Sequence, residues 1–100
     1  MDINFEYDHV KASDRLEILA AKRLQKLTDK YDFVVRSDVF FSHEKTSDPE
    51  TGKICKIRLS LPGPRLFAES SKKEYEMAIA EAADELERQL RKRKEKMNRR

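Results

Sequence analysis

The sequence predicts an α+β domain in the order β-α-β-β-β-α, a four-stranded mixed sheet with two helices packed on one face. Three observations carry this. Four short stretches alternate apolar and polar residues, the period of a half-buried strand. Two longer stretches repeat apolar residues every three to four positions, the period of an amphipathic helix. The chain has 100 residues, which is the size of one hydrophobic core. At that length two helices can cover only one face of such a sheet.

The first strand is Asp2 to Tyr7, where Ile3, Phe5 and Tyr7 alternate with polar neighbours. Ser13 and Asp14 offer N-caps, with Glu17 three residues after Asp14 as a capping-box partner. Leu16, Leu19, Ala20, Leu24, Leu27 and Tyr31 then recur at helical spacing, predicting a helix from about Asp14 to Lys30. Phe33 to His43 is rich in Val and Phe and reads as a central strand, with Val35, Val39 and Phe41 on one face and Val34 and Phe40 on the other. Glu44 to Lys53 contains Thr46, Ser47, Asp48, Pro49 and Gly52 and no apolar residue, which marks a hairpin loop. A third strand follows at Ile54 to Leu61, Pro62-Gly63-Pro64 turns the chain, and Leu66 to Ser70 makes a short fourth. From Ser71 onward there is no Gly or Pro. Tyr75, Ile79, Ala82, Ala83, Leu86, Leu90 and Met97 share one stripe of this last helix, and Arg88 points about 180° from Ile79, free of the core.

Hydrophobic residues make up 38% of the chain and charged ones 41%, so the core is lean and the surface dense with both signs. No run of about 18 apolar residues occurs, and the start Met1-Asp2-Ile3-Asn4 has no signal-peptide pattern. A cytoplasmic location without a membrane partner is expected. Cys55, the single cysteine, suits a reducing compartment and reads as a buried small hydrophobe rather than a reactive thiol. His9 and His43 are the only histidines, one just after the first strand and one at the end of the second, so no metal site, catalytic centre, cofactor or small-molecule substrate is expected. Gly52 and Gly63 are the only glycines, which leaves no phosphate-cradling loop.

Charge is segregated. From residue 88 onward Arg88, Arg91, Lys92, Arg93, Lys94, Lys96, Arg99 and Arg100 face one acid, Glu95, a net of +7, while residues 1–87 carry 14 basic and 18 acidic groups, a net of −4. Clustered cations repel one another, so a polyanion is their natural partner; the competing reading is a solvated helix end and tail. Within the last helix, a Glu87 to Arg91 pair at i, i+4 would occupy Arg91 without any ligand. The first helix carries Lys22, Arg23, Lys26 and Lys30 in its later turns, which the helix dipole favours in any case. If the helices lie side by side, these four come near the Arg88 strip. Tyr31, Phe40, Phe41 and Phe67 could stack on bases, but in so lean a core burial is expected for them, as for Tyr75.

The double-stranded-RNA-binding domain has a similar element set, without the first strand. A closer resemblance rests on Tyr75, Ala78, Ile79, Leu86, Glu87, Arg88, Gln89, Leu90, Lys92 and Lys94 with their spacing, together with Ile3, Lys26-Leu27 and Leu66-Phe67-Ala68. On these residues the chain resembles the ribosome hibernation promoting factor family, which includes ribosome-associated inhibitor A and was formerly described as sigma-factor modulation proteins. The resemblance covers nearly the whole chain and implies the same element order. It implies a non-enzymatic factor of stress or stationary phase that binds the small ribosomal subunit and its ribosomal RNA in the transfer RNA and messenger RNA channel. Matched position by position, the implied RNA contacts are Arg23, Lys26 and Lys30, then Arg88, Arg91, Lys92 and Lys96, with Lys22 added by its place on the first helix. Where relatives commonly have a lysine three residues before Arg88, this chain has Glu85. The chain resembles the short form, one ribosome-binding domain over residues 1–100 with a basic tail from about 95 to 100, for which pairing of ribosomes would need a second protein factor. A protein-interaction module acting on a transcription factor, and a general structured-RNA binder, are the alternatives.

Overall fold

The structure, a computed structural model, describes residues 1–98. Its elements are β1 (Asp2–Tyr7), α1 (Asp14–Lys30), β2 (Arg36–His43), β3 (Lys53–Ser60), β4 (Leu66–Lys72) and α2 (Tyr75–Asn98). The sheet runs β1-β2-β3-β4 in space. β1 and β2, joined through α1, pair in parallel; β2, β3 and β4 form an antiparallel meander. This is the predicted order and the predicted mixed sheet.

Register separates the two sheet faces. Phe5, Val39, Ile57 and Ala68 lie in one row, and Tyr7, Phe41, Cys55 and Ser70 in the next. These rows meet Leu16, Ala20, Leu24 and Leu27 of α1 and Ala78, Ile79, Ala82, Leu86 and Leu90 of α2 in one core. Both helices therefore cover the same face. Cys55 is fully buried within it, and burial pushes its thiol up to about 12.

Within the core, Phe41 stacks on Tyr7 with ring centroids 5.3 Å apart and meets Tyr75 edge-on at 5.6 Å. The Tyr7 hydroxyl donates to Glu17 at 2.8 Å, and the Tyr75 hydroxyl donates to the Ser42 carbonyl at 2.9 Å. The remaining sheet face carries Asn4, Asp38, Arg58 and Phe67 in one row and Glu6, Phe40, Lys56 and Glu69 in the next. There Asp38, buried at 2% exposure, accepts hydrogen bonds from Arg36 at 3.1 Å and Arg58 at 3.2 Å. Burial alone would raise its carboxyl, but the two guanidinium groups outweigh this and hold it below the ordinary value of 3.8.

Several expectations change in detail. Ser13 caps α1, its hydroxyl accepting from Leu16 N at 3.2 Å. Asp14 is then the first helical residue, so Glu17 lies one position past the capping-box site and binds Tyr7 instead. The segment before Arg36 is not strand: Val34 turns into the core while Val35, whose amide bonds Ser60 O at 2.8 Å, is 64% exposed. Ser37 takes the buried position that follows in the alternation. Phe67 faces the open side of the sheet and is 46% exposed, because Ala68 holds the inward position of β4. Met97 shares the α2 stripe but lies past the end of the core and is exposed. α2 is helical through Asn98, and Arg99 and Arg100 of the expected tail lie outside the described residues.

Replacing Phe41 with Ala should cost about 4 kcal/mol, the scale of a buried aromatic truncation, measured by urea denaturation. Asp38→Asn should cost about 2 kcal/mol at neutral pH, since two charge-assisted bonds are weakened. The native Asp38 carboxyl lies below its unfolded value. Its stabilisation is therefore present above the unfolded pKa near 3.8 and is lost as pH falls through the native value. The gap between the wild type and Asp38→Asn should close over that acid range.

Candidate nucleic-acid interface

Two ion pairs fix how the helices run. Arg15 of α1 pairs with Glu76 of α2, and Lys30 pairs with Glu87 at 3.1 Å. Both partners advance together along the chain, so the helices are parallel and their basic C-terminal turns share one end of the molecule. α2 has 24 residues against 17 in α1, and the 11 residues after Glu87 rise about 16 Å beyond the Lys30 contact at 1.5 Å per residue.

This overhanging portion of α2 is tied down at two points. Arg93 donates to the Pro62 carbonyl at 2.9 Å and the Pro64 carbonyl at 2.8 Å, clasping the turn between β3 and β4. Gly63 at the centre of that turn has φ +91°, and a Cβ there would lie 3.1 Å from the Arg93 guanidinium, so glycine serves both backbone and clasp. On the opposite flank, Lys94 sits 5.7 Å over the Tyr31 ring, as does Lys30. Neither Lys94 nor Arg93 figured among the expected contacts. The run of basic residues marked both, but their partners are distant in sequence.

The expected cations do not form one strip. Lys22, Arg23 and Lys26 line a shallow concavity of about 450 Å³ on α1, with Leu19, Gln25 and Asp29. Arg88, Arg91 and Lys92 line a second of about 460 Å³ on α2, with Glu85, Gln89 and Glu95. Lys30 stands at the seam between the helices, held by Glu87. Lys96 is exposed on the last turns of α2. Arg88, expected to be free, is instead held by Glu85, with Nη2 at 2.6 Å and Nε at 3.2 Å from one carboxylate oxygen. Glu87 reaches across to Lys30 rather than along its own helix, because α1 packs on that side, and so it does not occupy Arg91. Among the described residues, Lys22, Arg23, Lys26, Arg91, Lys92 and Lys96 have no acid within 4.0 Å.

The arrangement can hold an extended anion. Six cations without acidic partners among the described residues stand on two co-directional helices, while Glu87 is engaged by Lys30, and Glu85 and Glu95 remain at the α2 concavity, Glu85 on Arg88. Lysine and arginine spread in this way suit the phosphates of a folded polyanion. Nucleophilic chemistry has little to work with: His9 and His43 are both exposed, and Cys55 is sealed in the core. Among the described residues, no three His, Cys, Asp or Glu side chains come together as a metal site. No helix of the described residues is long and apolar enough to cross a membrane.

Comparison with known proteins bears on the family and the fold. The ribosome hibernation promoting factor of Pseudomonas putida is 27% identical over 96 residues, covering 96% of this chain and 89% of that protein. Among solved structures, a ribosomal subunit interface protein from Coxiella burnetii has a TM-score of 0.80 at 23% identity, covering 94% of this chain and 98% of that one. The N-terminal domain of Thermus thermophilus Protein Y has a TM-score of 0.78 at 23% identity, covering 92% and 98%. These two share the fold. The family model described as Sigma 54 modulation protein / S30EA ribosomal protein matches residues 3–98, which is nearly the whole chain, and the protein belongs to that family.

Proposed function

We propose that this protein is a ribosome hibernation factor, a single ribosome-binding domain that docks on the small ribosomal subunit and idles it under stress or in stationary phase. The observation that carries this is the parallel packing of α1 and α2, which points their basic turns in the same direction and leaves six of their cations without acidic partners among the described residues. The names of the curated relatives and structural neighbours point the same way. Ribosomal RNA is the polyanion of matching extent. Lys22, Arg23, Lys26 and Lys30 on α1 and Arg88, Arg91, Lys92 and Lys96 on α2 would contact its phosphates. Recognition of folded RNA then rests on shape and backbone rather than on base sequence.

In this reading the domain acts as a plug. Seated in the channel between head and body, it fills space needed by transfer RNA and messenger RNA, and no bond is made or broken. It works in the cytoplasm without cofactor or substrate. Pairing of idle ribosomes is left to a second protein factor.

Co-sedimentation with isolated small subunits across a salt series tests the docking. The wild type should pellet near stoichiometrically at low salt and release steeply as salt rises. The pairs Arg88→Glu with Lys92→Glu, and Lys22→Glu with Lys26→Glu, should each weaken binding by about tenfold or more, since each puts two negative charges in place of two positive ones on the docking surface. Equal pelleting of wild type and both variants would overturn docking through these helices. No pelleting at all would move a protein-interaction role to the front.

A further inference from the structure

Glu85 stands at the rim of the α2 concavity with both carboxylate oxygens engaged. Oε1 accepts from Arg88 at 2.6 and 3.2 Å, and Oε2 accepts from the Gln89 amide at 3.1 Å. The same Gln89 nitrogen donates to the Phe67 carbonyl of β4 at 3.0 Å. An exposed ion pair alone is worth little and fluctuates. This one ends a relay that starts on the sheet backbone: Phe67 fixes Gln89, Gln89 orients Glu85, and Glu85 takes the Arg88 fork. The hydrogen bond from Arg88, then that from Gln89, holds the Glu85 carboxyl below its ordinary value.

We propose that Glu85 is an internal competitor for the polyanion, held on Arg88 by Gln89 so that one guanidinium of the interface is withheld from phosphate. This rests on the polyanion-docking role of the same surface. A guanidinium offers a planar fork suited to one bidentate anion. A phosphate approaching Arg88 must displace the carboxylate or accept from the donors left over, and it meets a like charge beside it. Glu85 thereby lowers affinity and speeds release, which suits a factor that must leave when translation resumes. Gln89 is the positioning residue. Glu87 on Lys30 differs, because that pair joins the two helices and belongs to the packing.

The test is a salt series of binding to isolated small subunits for the wild type, Glu85→Gln, Gln89→Ala, Arg88→Gln and the double variant Glu85→Gln with Arg88→Gln. Glu85→Gln should bind about three- to tenfold tighter at 0.1 M salt. Its log-affinity against log-salt slope should steepen by about 0.7, one further phosphate contact. Gln89→Ala should shift the same way by less. The gain should vanish in the Arg88→Gln background, where a general loss of negative charge would still act. Unchanged or weaker binding by Glu85→Gln, or a gain that survives without Arg88, overturns the competitor role while leaving docking intact. A wild type that does not bind removes the docking role and this inference with it.

Discussion

The architecture turns on the aromatic contact at Phe41. Tyr7 of β1 stacks on one side of the ring and Tyr75 of α2 meets it edge-on, and each tyrosine sends its hydroxyl to a second partner. Through Glu17, Tyr7 fixes the first turn of α1. Tyr75 is itself the first residue of α2. Both helices are thus started at the same end of β2, over the same ring, and the parallel β1–β2 pairing requires α1 to run back along the sheet between them. A shared starting point and a shared direction bring the two basic C-terminal turns together. The cationic surface is therefore a consequence of core packing laid down some distance away.

Charge follows the same axis. Asp14, Glu17 and Glu76 occupy the first turns, and Lys30 and Lys96 the last ones, the order that each helix dipole favours. A net charge of only +3 consequently conceals a strongly polar molecule. What decides the behaviour of the basic end is which carboxylates return to it. Glu87 does so to join the helices, and Glu85 does so under the control of β4. Asp38 shows the same logic on the open face of the sheet, where one buried carboxylate gathers Arg36 and Arg58.

Element order and sheet pairing were legible in the sequence because they depend on periodicity and on the rule that a helix between neighbouring strands makes them parallel. The limits of α1 were legible as well, since Ser13 and the last apolar residues are local signals. What failed were features set by distant partners. Val34 and Val35 exchange roles because the chain bends before β2 begins. Phe67 is exposed because its inward neighbour is the small Ala68, and Met97 because the sheet ends before α2 does. In the interface, the residue types were readable from charge, but their partners were not. Arg88 looked free although its partner Glu85 lies only three residues before it on α2, and the competing pairing of Glu87 with Arg91 falls away only once α1 stands beside Glu87. Arg93, readable as one more cation, proved to be a structural clasp.

That clasp gives the end of α2 the mechanics of a bracketed beam. A helix running past its sheet would ordinarily fray, and each of its lysines would sample a wide volume before meeting an anion. With Arg93 gripping two carbonyls of a proline-bounded turn, the support point lies near the middle of the basic segment rather than at its root. Among the described residues, about a turn and a half of helix extends past it. Charges carried on so short an overhang keep their spacing in the free protein, and little conformational freedom is left to be lost when an anion of complementary shape arrives.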